Sequence, residues 1–147
     1  MAIIEPLRAD DYAEWLVLWN GYLEFYETEL DATTTETTFG RMTAPEPDIH
    51  GAIARDDDGR AIGLVHWLAH AATWDPGGYC YLEDLFVASD ARGMGAGAAL
   101  IDHVKAWAQQ HGVAKVYWLT AETNAVARGL YERVASRSGF IHYEMRL

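Results

Sequence analysis

Apolar residues recur at helical spacing in four stretches of the chain, and each stretch predicts an amphipathic helix. The four helices are predicted at residues 9–27, 32–42, 95–112 and 124–139. The residues expected to face inward in the first are Trp15, Leu18, Trp19, Tyr22, Leu23 and Tyr26, after an N-cap at Asp10 or Asp11. Those expected to face inward in the third are Leu100, Ile101, Val104, Trp107 and Ala108, with Gly112 closing the helix.

Shorter apolar stretches bounded by turn residues predict strands. They lie at 3–8, 79–87, 113–120 and 140–147, and residues 48–72 predict two further strands around the turn Asp-Asp-Asp-Gly. Strands joined by hairpins are antiparallel, whereas strands joined through a helix are usually parallel. We therefore expect one α/β domain over residues 1–147, with a central mixed sheet flanked by helices.

Composition narrows the possible partners. The formal charge of −11 argues against nucleic acid, because phosphate binding needs a basic face. The first residues carry no basic start with a long apolar run, and no apolar run approaches the ~20 residues that span a bilayer. Cys80 is the single cysteine, which fits a reducing compartment. We expect a soluble cytoplasmic protein that binds no membrane. Its negative charge would attract cationic molecules, and the alternative is that this charge only keeps the protein soluble.

The stretch R-G-M-G-A-G-A, residues 92–98, separates a predicted strand from a predicted helix. Glycines let a backbone approach a ligand closely, and the free N–H groups of a helix start favour an anion. Arg92 adds a positive charge at the entrance, and Met94 is the only large side chain after it. The turn predicts a binding site for a pyrophosphate. The alternative is a tight connection between strand and helix that binds no ligand.

Two common phosphate binders fit this turn poorly. A P-loop needs Gly-Lys-Ser/Thr at its end, and Gly97 is followed by two alanines. The dinucleotide fingerprint is formally met by Gly93, Gly95 and Ala98, but it normally opens the first βαβ unit of a larger sheet. A third pattern, R-x-x-G-x-G, is met by Arg92, Gly95 and Gly97.

In that third pattern the sequence resembles the GNAT superfamily of N-acetyltransferases. "YLEDLFVASDARGMGAG" resembles especially the diamine (spermidine/spermine) branch, and "TNAVARGLYER" resembles the matching helix. The resemblance is specific over residues 79–134 and only architectural over residues 1–78. It implies a GNAT-like fold and acetyl-CoA as cosubstrate. A single strand follows the last helix, where many relatives have two, so the acceptor pocket differs or a partner subunit completes it, and we expect a homodimer.

The resemblance assigns two groups of residues to the cosubstrate. The main chain of Leu85, Phe86 and Val87 would pair with the pantetheine arm, and one N–H there would face the thioester carbonyl. The remaining residues assigned to acetyl-CoA are Arg92, Gly93, Met94, Gly95, Ala96, Gly97, Ala98, Asn124, Tyr131 and Arg133.

Acetyl transfer to an amine needs a base, because a primary ammonium of pKa ~10 is protonated at neutral pH. By resemblance, Glu83 takes the proton through a water molecule and Asp84 holds a cationic acceptor. Neighbours in a regular strand point to opposite faces, so only a bulge would turn both carboxylates into one cleft. The alternative is that one of them pairs with an arginine and anchors the sheet.

Tyr131 is the candidate acid, since a phenol can protonate the departing thiolate. It lies seven residues after Asn124, so both project from nearly one helix face. Asn124 would bond the pantetheine amides, and Arg133 would add a charge for the CoA phosphates. Core packing for Tyr131 and an N-cap for Asn124 are the alternatives.

The histidines show no helical H-x-x-x-H pair, and His66 and His70 share a predicted strand without a third ligand, so we expect no metal. Cys80 has no assigned base, which favours direct transfer over a thiol intermediate. The expected function is acetyl-CoA-dependent acetylation of a primary amine, favouring a small polyamine or diamino acceptor. The alternatives are acetylation of a protein N-terminus or lysine, and a non-catalytic acyl-CoA sensor.

Overall fold

Five strands form one mixed sheet whose spatial order follows the chain. The computed structural model describes residues 1–147. The strands are β1 (Ile3–Pro6), β2 (His50–Arg55), β3 (Ala61–His70), β4 (Tyr79–Val87) and β5 (Val116–Tyr117). The helices are α1 (Tyr12–Phe25), α2 (Ala32–Met42), α3 (Ala96–Gln110) and α4 (Ala125–Val134). The first four strands pair antiparallel, and β5 lies parallel to β4 because α3 connects them. The predicted mixed sheet is confirmed.

The two faces of the sheet carry separate cores. Adjacent β3 residues face opposite sides: Leu64 packs with Trp15 of α1 in one cluster, and Val65 packs with Leu100 of α3 in the other. The alternation follows from the two-residue period of a strand. The predicted inward face of α3 is confirmed, with Leu100, Ile101, Val104 and Ala108 buried.

A β-bulge at Glu83 inverts the facing of β4. His66 of β3 lies opposite Asp84 and Trp67 lies opposite Leu82, so Glu83 has no residue opposite it. Before the bulge Leu82 faces the core under α3, and after it Leu85 faces the same core. An extra residue shifts every later side chain to the other face. Asp84 is thereby turned to the α1 side instead of into the apolar core under α3.

Strand β5 is much shorter than the predicted strand over residues 113–120. It pairs with β4 only at Cys80↔Val116 and Tyr81↔Tyr117. Beyond Tyr81 the strand β4 continues to Val87 without a partner on that side. The two strands therefore separate, and the gap between them opens toward the glycine turn.

The predicted last strand, residues 140–147, does not form, and the helix predicted over residues 124–139 ends at Val134. The C-terminal residues have no regular secondary structure, and Ile141, Tyr143 and Met145 are at least 75% exposed. An isolated strand has nothing to hydrogen-bond, so the alternating pattern of this segment alone cannot create one. None of the helices has the length and apolar character that a bilayer crossing requires.

Candidate active site

The glycine turn presents open backbone at the start of α3. Gly93 and Gly95 have φ angles of +82° and +83°, in the left-handed region that glycine favours. No atom lies within 4 Å of the position that a Cβ would occupy at either residue. No side chain caps α3, so its first N–H groups are available to an anion. The turn therefore fits a phosphate group that lies directly on the main chain.

The other residues of this turn have different surroundings. A Cβ at Gly97 would lie 3.0 Å from Leu130, so this glycine allows α3 and α4 to pack closely. Ala96 is buried, Ala98 is half-buried and Met94 is exposed. The Arg92 Nε donates to the carbonyl of Val87 at 3.2 Å, which holds its charge beside the turn.

Leu85, Phe86 and Val87 lie on the free edge of β4. Leu85 and Val87 pack against the core under α3, and Phe86 packs against the core under α1. Their side chains are thus part of the sheet core while their main chain borders the gap. Core packing is present, and it is compatible with the predicted contact to pantetheine because the two use different atoms.

Tyr131 lies half-buried on α4, packed edge-on against Trp118 with ring centroids 5.4 Å apart. Burial raises the pKa of its phenol to about 12, and the nearby Tyr26 contributes a smaller rise. Asn124 is the N-cap of α4, and its side chain accepts from the N–H of Ala127 and donates to Thr120. Arg133 is exposed and donates to the carbonyl of Gly129 in its own helix. The N-cap alternative for Asn124 is present in the structure.

Glu83 and Asp84 lie together at the bulge. Burial raises the pKa of Glu83, and the negative charge of Asp84 raises it further. Asp84 accepts at Oδ2 from the Nδ1 of His66 at 2.9 Å. No arginine or lysine pairs with either acid, so neither anchors the sheet through an ion pair.

Tyrosines surround these two acids. Burial raises the pKa of Tyr22 and of Tyr26, and the charge of Asp84 contributes to both rises. The pKa of Tyr81 is also raised, first by burial and then by Glu83 and Asp84. Tyr26 also contributes to the raised pKa of Tyr131 on α4. Acidic groups among aromatic rings favour a cationic ligand.

Two further residues complete the description of the site. His66, which the sequence suggested only as an incomplete metal ligand, is buried beside Asp84. The sequence signal for a functional residue here is a lone polar residue inside the apolar run Gly-Leu-Val-His-Trp-Leu. Cys80 is fully buried, and burial raises its pKa to about 11, so a thiolate nucleophile is not available there. No three or more His, Cys, Asp or Glu side chains come together as metal ligands.

Comparison with known proteins decides the family. Residues 10–135 match the acetyltransferase (GNAT) family. The chain belongs to this family. The resemblance seen in the glycine turn is thereby confirmed at the level of the superfamily, and the protein is a GNAT N-acetyltransferase, a family that uses acetyl-CoA.

Individual relatives differ in their acceptors. The GNAT chain is 34% identical over 143 residues to the D-amino-acid N-acetyltransferase HPA3 of Saccharomyces cerevisiae, covering 97% of this chain and 89% of that one. It is 30% identical to the uncharacterized N-acetyltransferase YhfO of Bacillus subtilis, covering 95% and 94%. The structure of AAC(6')-Iy with the bisubstrate analog CoA-S-monomethyl-acetylneamine superposes with a TM-score of 0.84 at 18% identity, covering 100% of this chain and 99% of that one. The GNAT fold is confirmed, and the acceptor is a separate question.

Proposed function

We propose that this GNAT protein transfers the acetyl group of acetyl-CoA directly to a primary amine of a small acceptor that carries a second positive charge, such as a diamine or polyamine. The observation that carries the proposal is the pair Glu83 and Asp84, which lie next to each other at the bulge and pair with no lysine or arginine. Two uncompensated carboxylates beside phenol rings suit an ammonium group. A cytoplasmic location, where Cys80 stays reduced, is part of the proposal.

Glu83 is proposed as the base. Its raised pKa makes it a stronger base than an ordinary glutamate. Its side chain is solvent-accessible, which suits proton removal through a water molecule. Asp84 is proposed to hold the ammonium so that the neutral amine forms next to the thioester carbon.

Attack by the amine forms the C–N bond, and loss of the thiolate breaks the C–S bond. A main-chain N–H on the free edge of β4 is proposed to donate to the developing oxyanion, a contribution of about 10²–10³ in rate. Tyr131 is proposed to donate a hydrogen bond to the departing sulfur, and the released thiolate takes its proton from solvent. With a pKa of about 12 the phenol stays protonated, and full transfer to a thiolate of pKa ~8.5 is uphill by roughly 5 kcal/mol. A hydrogen bond that strengthens as C–S breaks is therefore its main contribution.

The relationship to the yeast D-amino-acid enzyme favours a second acceptor class. A D-amino acid presents an α-carboxylate, which would need a cation in the pocket, whereas the bulge presents two anions. The two classes therefore make opposite demands on the charge of the cleft.

Release of free CoA from acetyl-CoA tests these proposals in one assay. The acceptor panel is a linear diamine, the monoamine of equal length, D- and L-amino acids, and peptides with a free N-terminus or lysine. We expect kcat/KM for the diamine to exceed that for the monoamine by roughly tenfold or more, as one ion pair can contribute. Preference for D-amino acids would replace the diamine proposal, and CoA binding without turnover on any amine would indicate a sensor.

We also propose a homodimer in which the C-terminal residues of each copy pack against the second copy. Ile141, Tyr143, Met145 and Leu147 alternate with polar residues and are all exposed, and β5 is a sheet edge without a neighbour. A strand pattern beside an open edge favours pairing with a second chain. Light scattering should show a dimer for the natural sequence and a monomer for a Tyr143→Asp, Met145→Asp variant. His142→Asp, on the polar side, is the control; a monomeric natural protein refutes the proposal.

A further inference from the structure

His66 lies between two partners inside the protein. The Trp15 Nε1 contacts the His66 Nε2 at 3.0 Å, and the His66 Nδ1 contacts the Asp84 Oδ2 at 2.9 Å. Both Trp15 and His66 are at most 1% exposed. The three side chains come from α1, β3 and β4 and form one buried chain of hydrogen bonds.

The protonation of His66 follows from the tryptophan. An indole Nε1 can only donate, so the Nε2 of His66 must accept and carries no proton. The remaining imidazole proton is then on Nδ1, where it is donated to Asp84. A doubly protonated ring would place two N–H groups against each other at 3.0 Å without solvent.

Trp15 cannot move aside to relieve such a clash. Its ring is stacked on Trp19 with centroids 5.6 Å apart and planes 12° apart, and it packs against Phe39 at 5.0 Å. His66 is therefore held as the neutral Nδ1–H tautomer. It has no free lone pair with which to act as a base, and it adds no positive charge to compensate Asp84.

We infer that His66 is a positioning residue, locked by Trp15 as a neutral donor, which orients Asp84 and leaves it a full negative charge for the ammonium of the acceptor. The inference rests on the proposed function, since it assigns Asp84 the same acceptor. One Asp84 oxygen accepts from His66, and carboxylate lone pairs stay available for the ammonium of the acceptor. The bulge makes the contact possible, because it brings Asp84 opposite His66 on the α1 side.

Nitrogen NMR of the imidazole rings tests the lock without any assay of activity. His66 is assigned by comparison with a His66→Asn sample. We expect Nδ1 protonated and Nε2 unprotonated at about pH 7, with the Nδ1 proton protected from exchange and this signature altered in Asp84→Asn. An Nε2–H tautomer or a doubly protonated ring overturns the inference, whether or not an amine is acetylated.

Kinetics test the positioning role. The side-chain amide of Asn can replace the Nδ1–H donor of His66, whereas Leu has no donor. His66→Asn should therefore keep the activity that His66→Leu loses. We expect His66→Leu to lower kcat/KM for the diamine by roughly tenfold to a hundredfold, mainly through KM, with CoA affinity unchanged. The loss should shrink to less than about threefold in an Asp84→Asn background, because the two residues act as one unit. Equal loss in both backgrounds, or equal loss in His66→Asn, overturns the inference.

Discussion

Tyr81 and Tyr117 stack with their ring centroids 5.0 Å apart, and they form the last pair that joins β4 to β5. Past this pair β4 runs on alone to Val87 and ends beside the glycine turn. The point where two neighbouring strands separate thus lies at one end of a gap, and a helix start with free N–H groups lies at the other. An extended ligand with a terminal pyrophosphate matches this arrangement.

The glycine turn can be tested with a matched pair of substitutions. Gly95 and Gly59 share nearly the same positive φ and the same empty space at Cβ, but Gly59 lies in the turn between β2 and β3. Gly95→Ala and Gly59→Ala should therefore lose similar stability, about 1–2 kcal/mol. Calorimetry should show CoA affinity falling roughly tenfold or more only in Gly95→Ala, since the methyl group blocks approach to the N–H groups. Unchanged CoA affinity in Gly95→Ala would refute the pyrophosphate site at the glycine turn.

Tyr131→Phe should separate catalysis from binding. Loss of the phenol removes the donor to the departing sulfur, and we expect kcat to fall about a hundredfold. The affinity for CoA should stay within about twofold, since the ring and its contact with Trp118 are retained. Tyr79→Phe, at a ring whose centroid lies 4.1 Å from the Lys115 Nζ, is the control and should leave kcat unchanged. Equal losses in kcat and affinity would reduce Tyr131 to a packing residue.

The pH dependence of kcat/KM should show the base. Glu83 must be ionised to accept a proton, so the rate should fall as the pH drops through its pKa, which lies above the ordinary 4.5. Asp84→Asn removes a charge that raises this pKa, and the acid limb should then move to lower pH. Glu83→Gln should abolish the limb and lower the rate about a hundredfold.

The control for this pH experiment is Glu36→Gln on α2, at an exposed glutamate outside the cleft. It should keep both the rate and the acid limb of the natural protein. If the acid limb survives in Glu83→Gln, the limb belongs to another group, and the proposed role of Glu83 as the base is contradicted.

Cys80→Ala should leave the reaction intact. The thiol is fully buried with a pKa of about 11, so almost no thiolate exists near neutral pH. We expect kcat within about twofold of the natural protein and a loss of roughly 1 kcal/mol in the free energy of unfolding from the lost contacts. Mass spectrometry of the protein incubated with acetyl-CoA alone should show no added acetyl group. An acetylated natural protein whose extra mass vanishes in Cys80→Ala would indicate a covalent intermediate.

Local patterns were sufficient to predict most of the elements. The helical spacing of Trp15, Leu18 and Trp19, the turn at Gly59, and the glycines before α3 depend only on residues near them in the chain. For the same reason the strand–turn–helix around residues 92–98 was enough to indicate the family. The strand predicted at 140–147 was wrong for the chain by itself, because an alternating pattern does not determine whether a segment pairs with another strand.

By itself the sequence determined the mixed sheet, the glycine turn and the presence of two adjacent acids, since each of these depends on short-range spacing. The tertiary structure alone decided that a bulge at Glu83 turns Asp84 to the α1 side and that β4 and β5 separate after Tyr81. It also decided that Trp15 hydrogen-bonds to His66 and that His66 hydrogen-bonds to Asp84. The physical reason is that strand register and side-chain hydrogen bonds join residues distant in the chain, and no local period encodes those partners.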